Sequence, residues 1–99
     1  MIVEAAMLQV LPGKEEAFEQ TFRQASTIIS SMKGYMWHSL NRCMEAQGKY
    51  LLLVHWETLE DHTVGFRGSD GYQEWKQLLH HFYDPFPVVE HFEIVALNN

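Results

Sequence analysis

One cysteine, Cys43, is the only thiol in the 99-residue sequence. An internal disulfide is therefore excluded, a thiolate zinc site has too few ligands, and a lone cysteine among strand-forming residues reads as a small buried hydrophobe. Basic residues are scarce as well. Seven Lys and Arg stand against 13 Asp and Glu, for a formal charge of −6, and the cations are scattered singly. Nucleic acid is not an expected partner, because neutralising phosphates takes clustered Lys and Arg. Long apolar runs are missing too. The run from Leu51 to Val54 falls far short of the roughly 20 residues that cross a bilayer. The first residues show no basic segment leading into an apolar core, so the sequence predicts a cytoplasmic protein with no membrane partner. No repeat, linker or low-complexity segment divides the chain, and its length suits one domain over residues 1–99. What is present is a core: hydrophobic residues make up 46% of the sequence and aromatic ones 13%, too much apolar surface for a disordered chain.

Residues Ile2 to Leu11 are apolar apart from Glu4 and Gln9 and stop at Pro12-Gly13, which predicts a first strand and a turn. From Lys14 the period changes. Phe18, Phe22, Ala25, Ile29 and Met32 recur at helical spacing, with acidic residues at the start and Lys33-Gly34 at the close. Tyr35 to Met44 and Lys49 to Glu57 flank the polar Glu45-Ala46-Gln47-Gly48 and read as a hairpin. A short helix is predicted from Thr58, its N-cap, to Arg67-Gly68. A further helix is capped by Ser69 or Asp70, with Tyr72, Trp75, Leu78, Leu79 and Phe82 on its apolar face, and it cannot run on through Pro85 and Pro87. Val88 to Leu97 is the last strand, and Asn98-Asn99 is expected to fray.

This order is α+β: the ferredoxin-like βαββαβ plan, or split βαβ, with a four-stranded antiparallel sheet and helices on one face. A sheet covered on one face alternates apolar with polar residues. Here Leu51, Leu53 and His55 interleave with Tyr50, Leu52, Val54 and Trp56, leaving both faces apolar. In the last strand Val88, Phe92 and Ile94 fall on one side and Val89, Val95 and Leu97 on the other. The bare face needs a cover, and a second copy of the same sheet supplies it, so a homodimer is expected.

If Glu45 and Gly48 bracket the hairpin turn, His38 stands opposite His55 and Trp37 opposite Trp56, the two pairs on opposite faces. Two imidazoles alone do not make a metal site, and a third ligand would have to come from His91 or a partner, so no metal is expected and the pair reads as a hydrogen-bonded contact. His80 and His81 are adjacent on a helix, point about 100° apart and cannot chelate one ion, which suits solvated flank positions.

Taken together, the first strand and its Pro-Gly, the amphipathic helix, the Gly-Tyr strand, the Leu-Leu-Val-His-Trp-Glu strand ending at Trp56, Leu59-Glu60-Asp61-His62 and Ser69-Asp70-Gly71-Tyr72 resemble the antibiotic biosynthesis monooxygenase family of the dimeric α/β-barrel superfamily. The resemblance covers nearly the whole chain. It implies two sheets facing each other in a homodimer and a pocket in each subunit between sheet and helices. Members of that family include cofactor-free oxygenases of polycyclic phenols, quinol monooxygenases, haem-degrading enzymes and proteins with no assigned reaction. The phenol oxygenases carry an Asn four residues before the Trp matched by Trp56, a place held here by Leu52. The places of the haem degraders' Asn, Trp and His hold Ala6, Phe66 and Lys76, which disfavours haem. A quinol oxygenase's His falls at Phe66, and His62 lies one turn earlier.

The resemblance turns the Trp56 face toward the helices, and with the expected pairing it takes Trp37, Ser39, Asn41 and Cys43 along. Met36, His38, Leu40, Leu53 and His55 then face the partner. The expected function is a cofactor-independent monooxygenase of a small quinol or other electron-rich aromatic molecule. His62 would be the base, Asn41 and Arg67 the polar anchors, and Trp37, Trp56, Phe66, Tyr72 and Trp75 the walls. Such an enzyme deprotonates a phenol so that the anion can pass an electron to oxygen, which takes one base and a surround that excludes water. The alternatives are a dimeric module that binds a small aromatic molecule without transforming it, and, since fold does not decide reaction, an isomerase or lyase.

Overall fold

The computed structural model describes residues 1–97, so the terminal Asn98-Asn99 lie outside the described residues. The elements are β1 (Ile2–Gln9), α1 (Glu15–Ile29), β2 (Tyr35–Arg42), β3 (Lys49–Trp56), a six-residue helical turn (Asp61–Phe66), α2 (Asp70–Leu79) and β4 (Val89–Glu93). The sheet runs β2-β3-β1-β4, antiparallel at every junction, which is the split βαβ order expected from the sequence. No helix among the described residues is long and apolar enough to cross a membrane.

In β3 the alternation predicted from sequence is complete: Tyr50, Leu52, Val54 and Trp56 are all buried beneath the helices. In β1 the same face carries Glu4, Ala6 and Leu8, and α1 closes over it with Phe18, Phe22, Ala25 and Ile29. α1 ends at Ile29, short of the expected Lys33-Gly34. The reason is local. The hydroxyls of Ser26, Thr27, Ser30 and Ser31 each donate to the carbonyl three residues back, and such bonds compete with helix propagation. Gly34, at φ +82°, then turns the chain into β2. Any Cβ there would strike the Asp61 side chain and strain the left-handed backbone.

The hairpin departs from the sequence reading by one residue. A bulge between Tyr35 and Trp37 leaves Tyr35 opposite Trp56, then sets Trp37 opposite His55 and His38 opposite Val54. One extra residue reverses the faces of everything beyond it. His38 and Leu40 therefore point toward the helices, where His38 contacts the Tyr35 hydroxyl and the Phe22 ring. Trp37 is exposed on the other face, edge-on to His55. The expected His38–His55 pair is split between the two faces. Cys43 sits just past β2, half-buried.

β4 is shorter than expected, ending at Glu93, and Ile94, Val95 and Leu97 are exposed beyond it. The uncovered sheet face carries Val3, Ala5, Met7, Leu51, Leu53 and Phe92.

Candidate active site

Between the sheet and the short helical elements lies a cavity of about 430 Å³, floored by Glu4, Ala6, Leu8 and Leu52 and walled by His62, Phe66, Arg67, Tyr72 and Trp75. His80, Tyr83, Phe86, Pro87 and Val89 complete its rim.

Its first wall is built by the turn at Asp61–Phe66. The Thr58 hydroxyl accepts from the Asp61 N–H at 3.1 Å, the capping role expected from sequence. The turn itself is wider than an α-helix, and the Arg67 N–H donates to the carbonyl of His62, five residues back, at 3.1 Å. Wide turns of this kind recur at functional sites. The wide turn buries His62 and Phe66 and leaves Arg67 exposed at the cavity edge. α2 supplies the second wall. Ser69 Oγ accepts the Tyr72 N–H at 3.1 Å, which fixes the helix start and aims Tyr72 and Trp75 edge-on at Phe66, with centroids 5.2 and 5.6 Å away.

The polar centre is Glu4. It is 5% exposed, among the rarest positions for a carboxylate without partners. Its Oε1 accepts the indole N–H of Trp56 at 3.0 Å and lies 3.3 Å from His62 Nε2. Both contacts fall on Oε1, and no buried side-chain polar atom among the described residues lacks a partner. Oε2 is therefore the oxygen that opens on the cavity. His62, itself 3% exposed, stacks on Trp56 with centroids 5.5 Å apart, and its Nδ1 lies 2.8 Å from Nε2 of His91 on β4. His91 reaches this point because β4 pairs it directly with Glu4.

Burial pushes the Glu4 carboxyl above its ordinary range, against the lowering effects of the Trp56 bond and the Arg67 charge. Burial, with the nearby Arg67 guanidinium and His91, drives His62 down to about 3, so its imidazole is neutral at physiological pH. His91 is also lowered, by burial and by Arg67. The result is a carboxyl held to its proton more tightly than an ordinary one, beside two imidazoles of lowered basicity, an arrangement that can take up or give back one proton inside an aromatic chamber.

Of the residues singled out from sequence, His62, Arg67, Phe66, Tyr72 and Trp75 come together at this cavity. Trp56 stands behind His62, fully buried, and supports the site from beneath. Trp37 and Asn41 are not at the site. The bulge at Met36 turns both to the opposite face, where the Asn41 amide donates to Ser39 Oγ and to the Leu51 carbonyl. Glu4 and His91 were missed, as was the part played by His80, which lines the cavity and meets Phe86 edge-on instead of lying on a solvated flank. The signal for Glu4 was available: period-two alternation puts it on the same face as Ala6 and Leu8, an acid in a core position.

Comparison with known proteins agrees with this architecture. The sequence profile of a family described as "Antibiotic biosynthesis monooxygenase" matches residues 1–78. The uncharacterized protein YczJ of Bacillus subtilis (strain 168) is 67% identical over 95 residues, covering 96% of this chain and all of that protein. Among solved structures, a Bordetella bronchiseptica protein that bears the family's name superposes with a TM-score of 0.91 at 37% identity, over 96% of this chain and 97% of its own. SnoaB, a cofactor-independent oxygenase from Streptomyces nogalater, shares the fold at a TM-score of 0.75 and 16% identity, over 99% of this chain and 94% of its own.

Proposed function

The chain belongs to the antibiotic biosynthesis monooxygenase family, and from that premise we propose that it is a cofactor-independent oxygenase of a small quinol or other electron-rich phenol, acting as a homodimer. The observation that carries this reading is a buried carboxylate, Glu4, opening on a cavity walled by Phe66, Tyr72 and Trp75.

A flat aromatic ring suits those walls, and the exposed Arg67 guanidinium at the edge suits a hydroxyl that becomes an anion. Glu4, rather than His62, is the base. Its raised carboxyl is better matched to a phenol than an imidazole held near 3. The carboxylate takes the hydroxyl proton, and the phenolate passes one electron to dioxygen. The superoxide and the ring radical combine at a C–H carbon. The peroxide anion so formed takes the proton back from Glu4, and as the O–O bond of the hydroperoxide breaks, the C–H proton leaves with the departing hydroxide as water and a carbonyl remains. Phenol and dioxygen thus give quinone and water with every atom accounted for and no added reductant.

The homodimer is supported by the uncovered face, where Val3, Ala5, Leu51 and Leu53 form an apolar surface with Phe92 half exposed at 51%. A face of that kind marks an interface, and paired sheets are the arrangement that the family resemblance implies.

An oxygen electrode run over a panel of quinols and hydroxylated aromatics, without flavin or metal, tests the activity. Uptake that falls about 10²-fold or more in Glu4→Gln is the expected result, the usual contribution of a positioned base. Tight binding with no uptake would instead establish the non-catalytic binding module.

A further inference from the structure

We propose that His91 and His62 form a proton wire that keeps Glu4 in exchange with solvent when a ligand fills the cavity. The proposal rests on the reading of Glu4 as the proton-handling group of that cavity, and on the way three elements converge there. Glu4 comes from β1, His62 from the Asp61–Phe66 turn and His91 from β4, and their polar atoms form one line: Glu4 Oε1 to His62 Nε2 at 3.3 Å, then His62 Nδ1 to His91 Nε2 at 2.8 Å.

The need for a wire follows from burial. With Glu4 at 5% exposure and Trp56 beneath it, its open side is the cavity, and an aromatic ligand seated there displaces the water that would carry its proton. His91 lies outside the cavity lining, on the edge strand of the sheet, and is half-buried, so its outer nitrogen is the end of the line that meets solvent.

The transfer is balanced. A neutral imidazole carries one N–H and one lone pair, so an imidazole in a line passes a proton by gaining one at one nitrogen and losing one at the other. With Glu4 ionised, His62 Nε2–H points at the carboxylate and His91 Nε2–H donates to His62 Nδ1. To protonate Glu4, water gives a proton to His91 Nδ1, the His91 Nε2 proton moves to His62 Nδ1, and the His62 Nε2 proton moves to Glu4 Oε1. Three bonds to hydrogen break within the line and its donor, and three form. Both histidines end with the proton on Nδ1, and neither becomes an imidazolium. The reverse sequence discharges Glu4. Neutral His62 and His91 are what such a line requires, and their lowered basicities supply them.

Every charged or titratable group packed against the line belongs to this account. Arg67, following the Asp61–Phe66 turn, lowers all three members. Tyr72 and His80 from α2 and its end, and Tyr83 beyond, face the same cavity, where burial, with the Lys76 charge, lowers His80 and burial raises Tyr83.

Nitrogen-15 NMR of the histidine side chains in the intact, ligand-free protein tests this independently of any turnover. As pH falls through the Glu4 titration, His62 and His91 should pass together from the Nε2–H to the Nδ1–H tautomer. Glu4→Gln should hold His62 in one tautomer over the same range, and His91→Gln should uncouple His62 from Glu4 while leaving the fold intact on the half-buried edge strand. A His62 that keeps one tautomer throughout, or that charges at its own pKa without regard to Glu4, overturns the wire. Because no substrate is present, a protein inactive toward every quinol can still pass this test, and an active one can still fail it.

Discussion

The indole nitrogen of Trp56 lies 3.0 Å from Glu4 Oε1, joining the last residue of β3 to the third residue of β1 in a layer where Trp56 has no exposed surface. That single N–H offsets part of the cost of burying a carboxylate. Trp56→Phe should lower the urea unfolding free energy by about 1 kcal/mol through the lost hydrogen bond, beyond the packing loss, since His62 Nε2 still stands 3.3 Å from the same oxygen. It should also push the Glu4 titration, followed by carbon-13 NMR, further up, since the Trp56 bond is the larger of the two influences that lower it. In a Glu4→Gln background the same substitution should cost less, because the two residues share one interaction.

Stability should fall on the acid side, and the sign follows from His62. Its folded pKa of about 3 lies below the ordinary 6.5, so the stability it contributes is present above 6.5 and is lost as pH falls toward 3. His38, His80 and His91 are lowered as well and act in the same direction. Glu4 acts oppositely. Its raised carboxyl contributes stability that is full below 4.5 and lost as pH rises through its folded pKa. Urea midpoints measured from pH 8 to pH 4 should therefore decline on acidification, and His62→Gln should flatten that decline. Relative to wild type, Glu4→Gln should look better at pH 8 than at pH 4. An unchanged acid limb in His62→Gln would contradict the neutral, buried imidazole.

Leu53 faces Ala5 across the β1–β3 ladder on the uncovered side of the sheet. A carboxylate at that point would be buried without a partner in each subunit of a dimer. Light scattering should give a dimer for the wild-type chain at micromolar concentration and a monomer or aggregate for Leu53→Asp. A wild-type mass of one chain under those conditions would remove the dimer.

How much of this was legible beforehand depends on what each residue's neighbours could reveal. The buried face of α1 and the even positions of β3 followed from periodicity, because burial there is decided by one helix or one strand against one layer. Trp37 and Asn41 did not follow. Their face depends on a bulge at Met36, and nothing in Tyr35-Met36-Trp37 distinguishes a regular strand from a bulged one. Glu4 was half legible: its strand position marked it as inward, but an inward acid takes meaning only from Trp56 and His62, which chain separation conceals. His91 was the hardest to read. Its role comes from the β1–β4 register, a pairing between the two ends of the chain that local pattern does not set.

Arg67 gives the sharpest test of the site's electrostatics. It is exposed at the cavity edge, so Arg67→Ala should change stability little, within about 0.5 kcal/mol as for most surface positions. Its charge nevertheless reaches Glu4, His62 and His91, lowering each of them. Removing it should raise all three. Turnover that increases with pH as Glu4 ionises should consequently shift to higher pH in Arg67→Ala, and KM should rise if the guanidinium also holds the substrate's developing anion. Arg67→Lys keeps the charge but loses the planar fork, so it should restore the pH profile more fully than it restores KM. Oxygen uptake recorded across pH for the three proteins separates the two roles. A profile that does not move in Arg67→Ala would show that the exposed guanidinium is screened by solvent before it reaches Glu4.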